Sequence, residues 1–229
     1  MKHNNLIRIL VVGLLAIGGL SAPVFADEFD KRLLPVDDTY RDATLQEFLD
    51  RLRQVVKFRE HESLVPFIAP KIVNNKGVPD GAQAFANYWR MDSQDSELWT
   101  ELSRILSLGG TFLRSNRGVT FCGPYIFTEF PDNLDIFGHG VVIEENVLLK
   151  SEPDFGSRTL RTLSYHLVQV KDWRSKADSS GGAWVKVTVL DKGETGYLPK
   201  DKIRSPSDYH MCVSQFDKGW LIISLSTGS

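Results

Sequence analysis

The chain is poor in sulfur, with two cysteines and three methionines among 229 residues. Two thiols exclude a disulfide-dense scaffold. The histidines at 61, 139, 166 and 210 stand singly, without the i, i+4 or Cys-x-x-Cys spacing that aims two ligands at one ion, so no metal site is expected. There is no Lys/Arg block and no basic stripe interleaved with aromatics, which removes the electrostatic footprint of nucleic-acid binding. No glycine-rich loop opens a helix: Gly109-Gly110 follows one, so a phosphate cradle is missing and no cofactor is expected. Paired carboxylates such as Asp37-Asp38 and Glu144-Glu145 are adjacent and point to different faces of an extended chain, which suits solvation better than acid/base chemistry.

What is present begins with a leader. Lys2 and Arg8 precede an apolar run from Ile9 to Leu20 and the small-residue approach Val24-Phe25-Ala26, the three parts of a secretory signal. The run is shorter than the roughly 20 apolar residues of a spanning helix. Residues 1–26 are therefore expected to be cleaved, leaving an exported, periplasmic or secreted chain with no membrane span. Cleavage removes two of the 27 basic residues and none of the 29 acidic ones. The mature charge is then about −4, a further argument against nucleic acid as a partner. In an oxidising compartment Cys122 and Cys212 are candidates for a disulfide closing a loop of about 90 residues, and two separately buried thiols are the alternative.

The periodicity changes along the chain. Leu45, Phe48, Leu49, Leu52, Val55 and Val56 share one helical face, and Thr44 with Glu47 has the spacing of a capping box. Residues 62–69 read as a short apolar turn or helix ending at Pro70, and 71–80 as a loop or hairpin. Small and aromatic residues over 81–89 predict a packed helix, and Ser96 caps another that ends at Gly109-Gly110. Strands follow at 111–114 and 119–130. The leader-proximal segment, 27–41, is expected to lie over this first lobe.

From 141 onward short strands alternate with turns: 141–150, 159–163, 167–170, a polar insert at 171–182, then 184–189, a tight turn at 191–194 and a closing strand from 196. Such spacing suits a closed or partly closed barrel. Three runs carry a family resemblance. They are Asn146-Val147-Leu148-Leu149-Lys150-Ser151-Glu152-Pro153, Trp184-Val185-Lys186-Val187 and Gly196-Tyr197-Leu198. Their order resembles the opening strand, Trp strand and closing strand of the bacterial SH3-like (SH3b) domains of exported and cell-wall-associated proteins. Leu149-Lys150 stands where that family has Val-Arg, and Glu152 replaces its turn glycine.

After Ile203, residues 209–216 and 220–225 read as a hairpin turning at 217–219, and a lone hairpin needs a sheet to join. The 119–130 strand is the natural partner. The expected fold is an α+β lobe, 27–137 completed by 207–229, with an all-β SH3-like barrel inserted at 140–204. The remainder is similar to the cystatin-like or nuclear-transport-factor-two-like α+β fold.

The SH3-like resemblance implies a non-enzymatic binding protein that takes a peptide or a peptidoglycan component of the cell wall. Tyr165, Trp173 and Tyr197 are its candidate ligand-binding aromatics, Trp173 the most exposed beside the polar insert. A structural protein that docks an envelope partner through the 171–182 loop is the alternative. A cysteine-dependent cell-wall hydrolase is a third reading. It lacks its supporting residues, since Cys122 sits mid-strand rather than at a helix start, and Met211 and Val213 flank Cys212 where an oxyanion donor and an arginine are needed.

Overall fold

A computed structural model describes residues 31–115, 118–174, 176–177 and 181–228; the expected leader at 1–26 lies outside them. Helix α1 spans Ala43–Phe58. Its cap is Asp42, whose carboxylate accepts the backbone N–H groups of Thr44 and Leu45, so the start lies ahead of the expected Thr44/Glu47 box. A carboxylate there also complements the helix dipole, and the Thr44 hydroxyl bond holds Asp42 below the usual carboxylate pKa. Next come α2 (His61–Leu64) and a 3-10 turn at Val65–Phe67. Strand β1, Ile68–Val73, spans the junction between the expected turn or helix at 62–69 and the expected loop or hairpin at 71–80. Pro70 hid it: proline is tolerated in a strand only at an edge, and β1 is an edge.

Helices α3 (Ala82–Trp89) and α4 (Glu97–Ser107) follow, with Ser96 Oγ accepting Leu98 N–H at the start of α4. Strands β2 (Thr111–Ser115) and β3 (Gly118–Gly123) come next. The expected 119–130 strand stops at Gly123, because Pro124 N-caps a short helix, α5, at Tyr125–Glu129. Aromatic, β-branched composition favours a strand here, and burial of Tyr125 and Ile126 in a local core prevails over it. Strands β4 (His139–Val142), β5 (Val147–Lys150), β6 (Thr159–Leu163), β7 (Leu167–Val170), β8 (Lys176–Ala177), β9 (Ala183–Val189), β10 (Thr195–Pro199) and β11 (Ile203–Arg204) lead to the hairpin β12 (Tyr209–Phe216) and β13 (Gly219–Thr227).

The fold is α+β, with two sheets. The first has the order β1-β13-β12-β3-β2, with β1 parallel to β13 and the other pairs antiparallel. One face of α1, α3 and α4 packs on it, joining Leu45, Leu49, Trp89, Leu98 and Leu102 to Phe121, Val213 and Ile222 in a single core. The second sheet has the order β11-β4-β7-β9-β10-β5-β6, with β8 paired to β9. Its inner face buries Val168, Val185, Val187, Val189 and Leu198. Among the described residues no ladder joins β6 to β11, so the expected barrel is not closed. The two end strands explain this, since β11 is only two residues long and β6 carries the polar Thr159, Arg161 and Thr162 at the edge.

A third core lies between the sheets, where Tyr125 and Ile126 of α5 meet Val141 and Leu167. The segment expected to lie over the first lobe is divided: its first described residues strap the second sheet, while Val36 and Asp37 lie against Gly109 and Asp38 N–H donates to Gly110 O of the first lobe. Leu33 N–H donates to Tyr165 O, Leu167 N–H to Lys31 O, and Lys31 Nζ to Leu190 O at 3.0 Å. Among the described residues no helix is long and apolar enough to cross a membrane.

Candidate functional site

The chain returns from the second sheet to the first through a short crossing, Ser205 to Asp208, and this crossing is stitched by its own side chains. Asp208 Oδ2 accepts Ser205 N–H at 2.9 Å. Ser205 Oγ donates to Ile136 O at 3.1 Å and lies 2.7 Å from Ser207 Oγ. Gly228 N–H donates to Ser207 O at 3.0 Å, so the last strand clamps the turn from outside. Proline at the second position of a turn and Asp closing it back onto the backbone are the residues such a turn needs. The flanking residues, Arg204 and Tyr209, are thereby held in place.

Arg204 is paired through β11 to Val141 of β4, and its side chain is only 6% exposed. Its Nη2 donates to Tyr209 O and lies 3.9 Å from Glu101 Oε2, while its Nε has no hydrogen-bond partner. Burial pulls the Arg204 pKa down, and the nearby Asp208 and Glu101 carboxylates pull it back up. An arginine stays charged under such pressures. Glu101 is shared, because its Oε1 accepts from Arg104 at 3.0 Å on the same helix.

These groups wall a cleft of about 590 Å³ between the two sheets. Glu101 and Arg104 come from α4, Lys200 and Asp201 from the turn after β10, Asp208 from the crossing, Tyr209 from the start of β12, and Trp173 from the polar insert. Three cations and three carboxylates thus surround an indole and a phenol. Trp173 is half-buried. Its Nε1 donates to Phe137 O at 2.8 Å, and its ring lies over Gly140 so closely that a Cβ there would sit 2.7 Å from Cη2. Tyr209 packs on Trp89 at 4.9 Å, its hydroxyl meets Tyr88 Oη at 2.9 Å, and burial raises its pKa, so the phenol is neutral. An aromatic wall with fixed charges of both signs suits recognition of a polar ligand with an apolar part.

The three aromatics singled out from the sequence do not converge. Trp173 packs against the inner-face core of the second sheet at its β4 end. Tyr197 is on the opposite face, directly across from Lys186 and Lys150, with Lys176 and Lys186 Nζ at 5.7 and 5.8 Å from its ring. Tyr165 occupies a left-handed turn at φ 58° before β7, under the strap formed by Lys31 and Leu33. Only Trp173 reaches the cleft. Arg204, Glu101 and Tyr209 escaped sequence reading because Arg-Ser-Pro resembles a plain linker. The Asp three residues after Ser205 is the signal that marks a structured turn.

Cys122 and Cys212 face each other across β3 and β12 and form a disulfide, with Cα atoms 4.1 Å apart. Neither sulfur is a free thiol. Among the described residues no three His, Cys, Asp or Glu side chains gather as a metal site.

No family model matches the chain, and no curated protein does. A solved structure titled Rd1NTF2_05, in a form with five substitutions, is similar at 12% identity over 81% of this chain and 96% of its own, with a TM-score of 0.25. At that score the likeness supports no conclusion about fold or function.

Proposed function

We propose that this is an exported, non-enzymatic binding protein that holds a peptide or peptidoglycan fragment in the cleft between its sheets, with the second sheet acting as an SH3-like module on a nuclear-transport-factor-two-like α+β base. The observation that carries this reading is the cleft itself, where Trp173 shares a wall with Glu101 and Arg104 of α4, Lys200 and Asp201 of the turn after β10, Arg204 of β11 and Asp208 of the crossing. The buried disulfide favours an oxidising compartment and, while intact, leaves no thiolate for a hydrolase mechanism. The strand run and the motifs around Asn146, Trp184 and Tyr197 favour the SH3-like reading, in an open form.

Retention on purified, protein-free peptidoglycan sacculi tests the proposal. The wild-type chain is expected to co-sediment, and Trp173→Ala to lose most of that retention, since a buried aromatic anchor is worth about 2 kcal/mol or more. Equal retention of the two proteins, or none by either, overturns it.

A further inference from the structure

We propose that the cleft takes its ligand through a carboxylate, received by the guanidinium of Arg204, so that a bound peptide presents a free carboxyl group and not only its backbone. This rests on the binding role assigned to the cleft above. Arg204 is the most enclosed charge in the cleft, with its side chain 94% removed from solvent if 6% is exposed. A guanidinium carries five N–H donors in a fixed fork. One bond goes to the carbonyl of Tyr209, Nε is unpartnered, and the nearest carboxylate oxygen, on Glu101, is at 3.9 Å, beyond hydrogen-bond length.

A purely structural arginine in this place would spend its donors on the surrounding backbone. The crossing does not offer them: the Asp208 carboxylate is turned onto Ser205 N–H, and Ser205 Oγ is given to Ile136 O. Glu101 is drawn the other way, to Arg104 at 3.0 Å. One oxygen of each neighbouring carboxylate is thus engaged elsewhere and Glu101 Oε2 stands off at 3.9 Å, while Arg104 and Lys200 offset the Asp201 and Asp208 charges in the same cleft. A planar acceptor with two oxygens matches the fork best, and a carboxylate is that group. The Trp173 indole then lies in the same cleft to pack the apolar part of the residue bearing it.

The Nε–Hε resonance of Arg204 in ¹⁵N-labelled full-length mature protein reads this directly. It is assigned by its loss in Arg204→Lys and titrated with sodium acetate and with sodium phosphate at matched ionic strength. Saturable movement with acetate, larger than with phosphate, supports the proposal. Movement with phosphate alone assigns the site to a phosphate-bearing ligand and overturns it, as does movement with neither. A second measurement does not depend on a variant that might not fold: acetyl-trialanine with a free C-terminus is compared with its C-terminal amide on the wild-type protein. Loss of one charged hydrogen-bonded contact predicts about tenfold or more weaker binding of the amide. Equal binding of acid and amide overturns the carboxylate while leaving the sacculus result standing. An acetate response without any sacculus retention does the reverse.

Discussion

The two sheets solve burial differently. The first is a five-stranded sheet with three amphipathic helices on one face, and its hydrophobic core runs through both layers. The second meets the short helix α5, at Val141 and Leu167, and buries its inner face by curling over itself, as an open run of short strands. It carries a local charge cluster: Arg161 is bonded to both oxygens of Asp191, and His166 Nε2 lies 3.1 Å from Arg161 Nη2. Buried side-chain atoms without a hydrogen-bond partner occur in both sheets, at Thr111 Oγ1 and Glu194 Oε2, and at the junction, at Arg204 Nε and His210 Nδ1. What distinguishes the junction is a buried guanidinium among these groups, whereas those within the sheets are a hydroxyl and a carboxylate oxygen.

The comparison breaks most directly at the disulfide. It joins two strands of the first sheet, yet the loop it closes spans 90 positions and contains the whole second sheet. Chain-entropy reasoning credits such a loop with about 4 kcal/mol. Reduction, or a Cys122→Ala/Cys212→Ala double variant, is expected to lower unfolding free energy by about that much in urea titration, with the loss falling on the first sheet. A change below about 1 kcal/mol would show that the crossing and the inter-sheet core already hold the ends together.

His210 gives the next largest effect. Its ring stacks on Phe127 at 3.6 Å, and burial lowers its pKa from 6.5 to about 4. The unfolded chain therefore binds a proton that the folded chain refuses between those values, and stability falls as pH drops from 6.5 towards 4. The full loss is on the order of 3 kcal/mol. His210→Phe keeps the stack and removes the titration, so its stability should be flatter over that window. An unchanged pH profile would place the acid sensitivity elsewhere.

Much of this architecture is legible in the amino-acid order, for reasons that differ by element. Helices α1 and α4 announce themselves because their apolar residues recur at helical spacing and are buried on that face, as Leu45, Leu52, Leu98 and Leu102 are. The β12–β13 hairpin follows from alternation around Asp217-Lys218-Gly219. Strand β1 is illegible because its pairing is with β13, about 150 residues away, and its proline argues locally against a strand. The 124–130 segment misleads because residue preference there is for a strand, while a core shared with Val141 and Leu167 of the second sheet decides for a helix. The candidate site is legible only in Trp173. Arg204 gains its character from burial by distant elements, which no window around Arg-Ser-Pro contains.

Two smaller perturbations sharpen the contrast within the second sheet. Gly140→Ala places a methyl group where the Trp173 ring now lies, 3.0 Å from Ile203 Cγ2 as well. Overpacking of that kind costs about 2 kcal/mol, and it should move the indole, giving a shift in tryptophan emission together with weaker sacculus retention. Retention unchanged by a displaced Trp173 would detach that residue from binding. The smallest effect belongs to Asp191, held at about 2 chiefly by the Arg161 hydrogen bonds. Its contribution is complete above its unfolded value near 3.8 and is lost as pH falls through 2. The pair is partly exposed, so Asp191→Asn is expected to cost only about 1 kcal/mol at neutral pH, measured by thermal unfolding. The sign of that result decides what the cluster does. A clear loss makes it a clamp between the β6 edge and the turn after β9, whereas no loss would mean the open sheet is held by its inner-face core alone, with the charges as solvated cover.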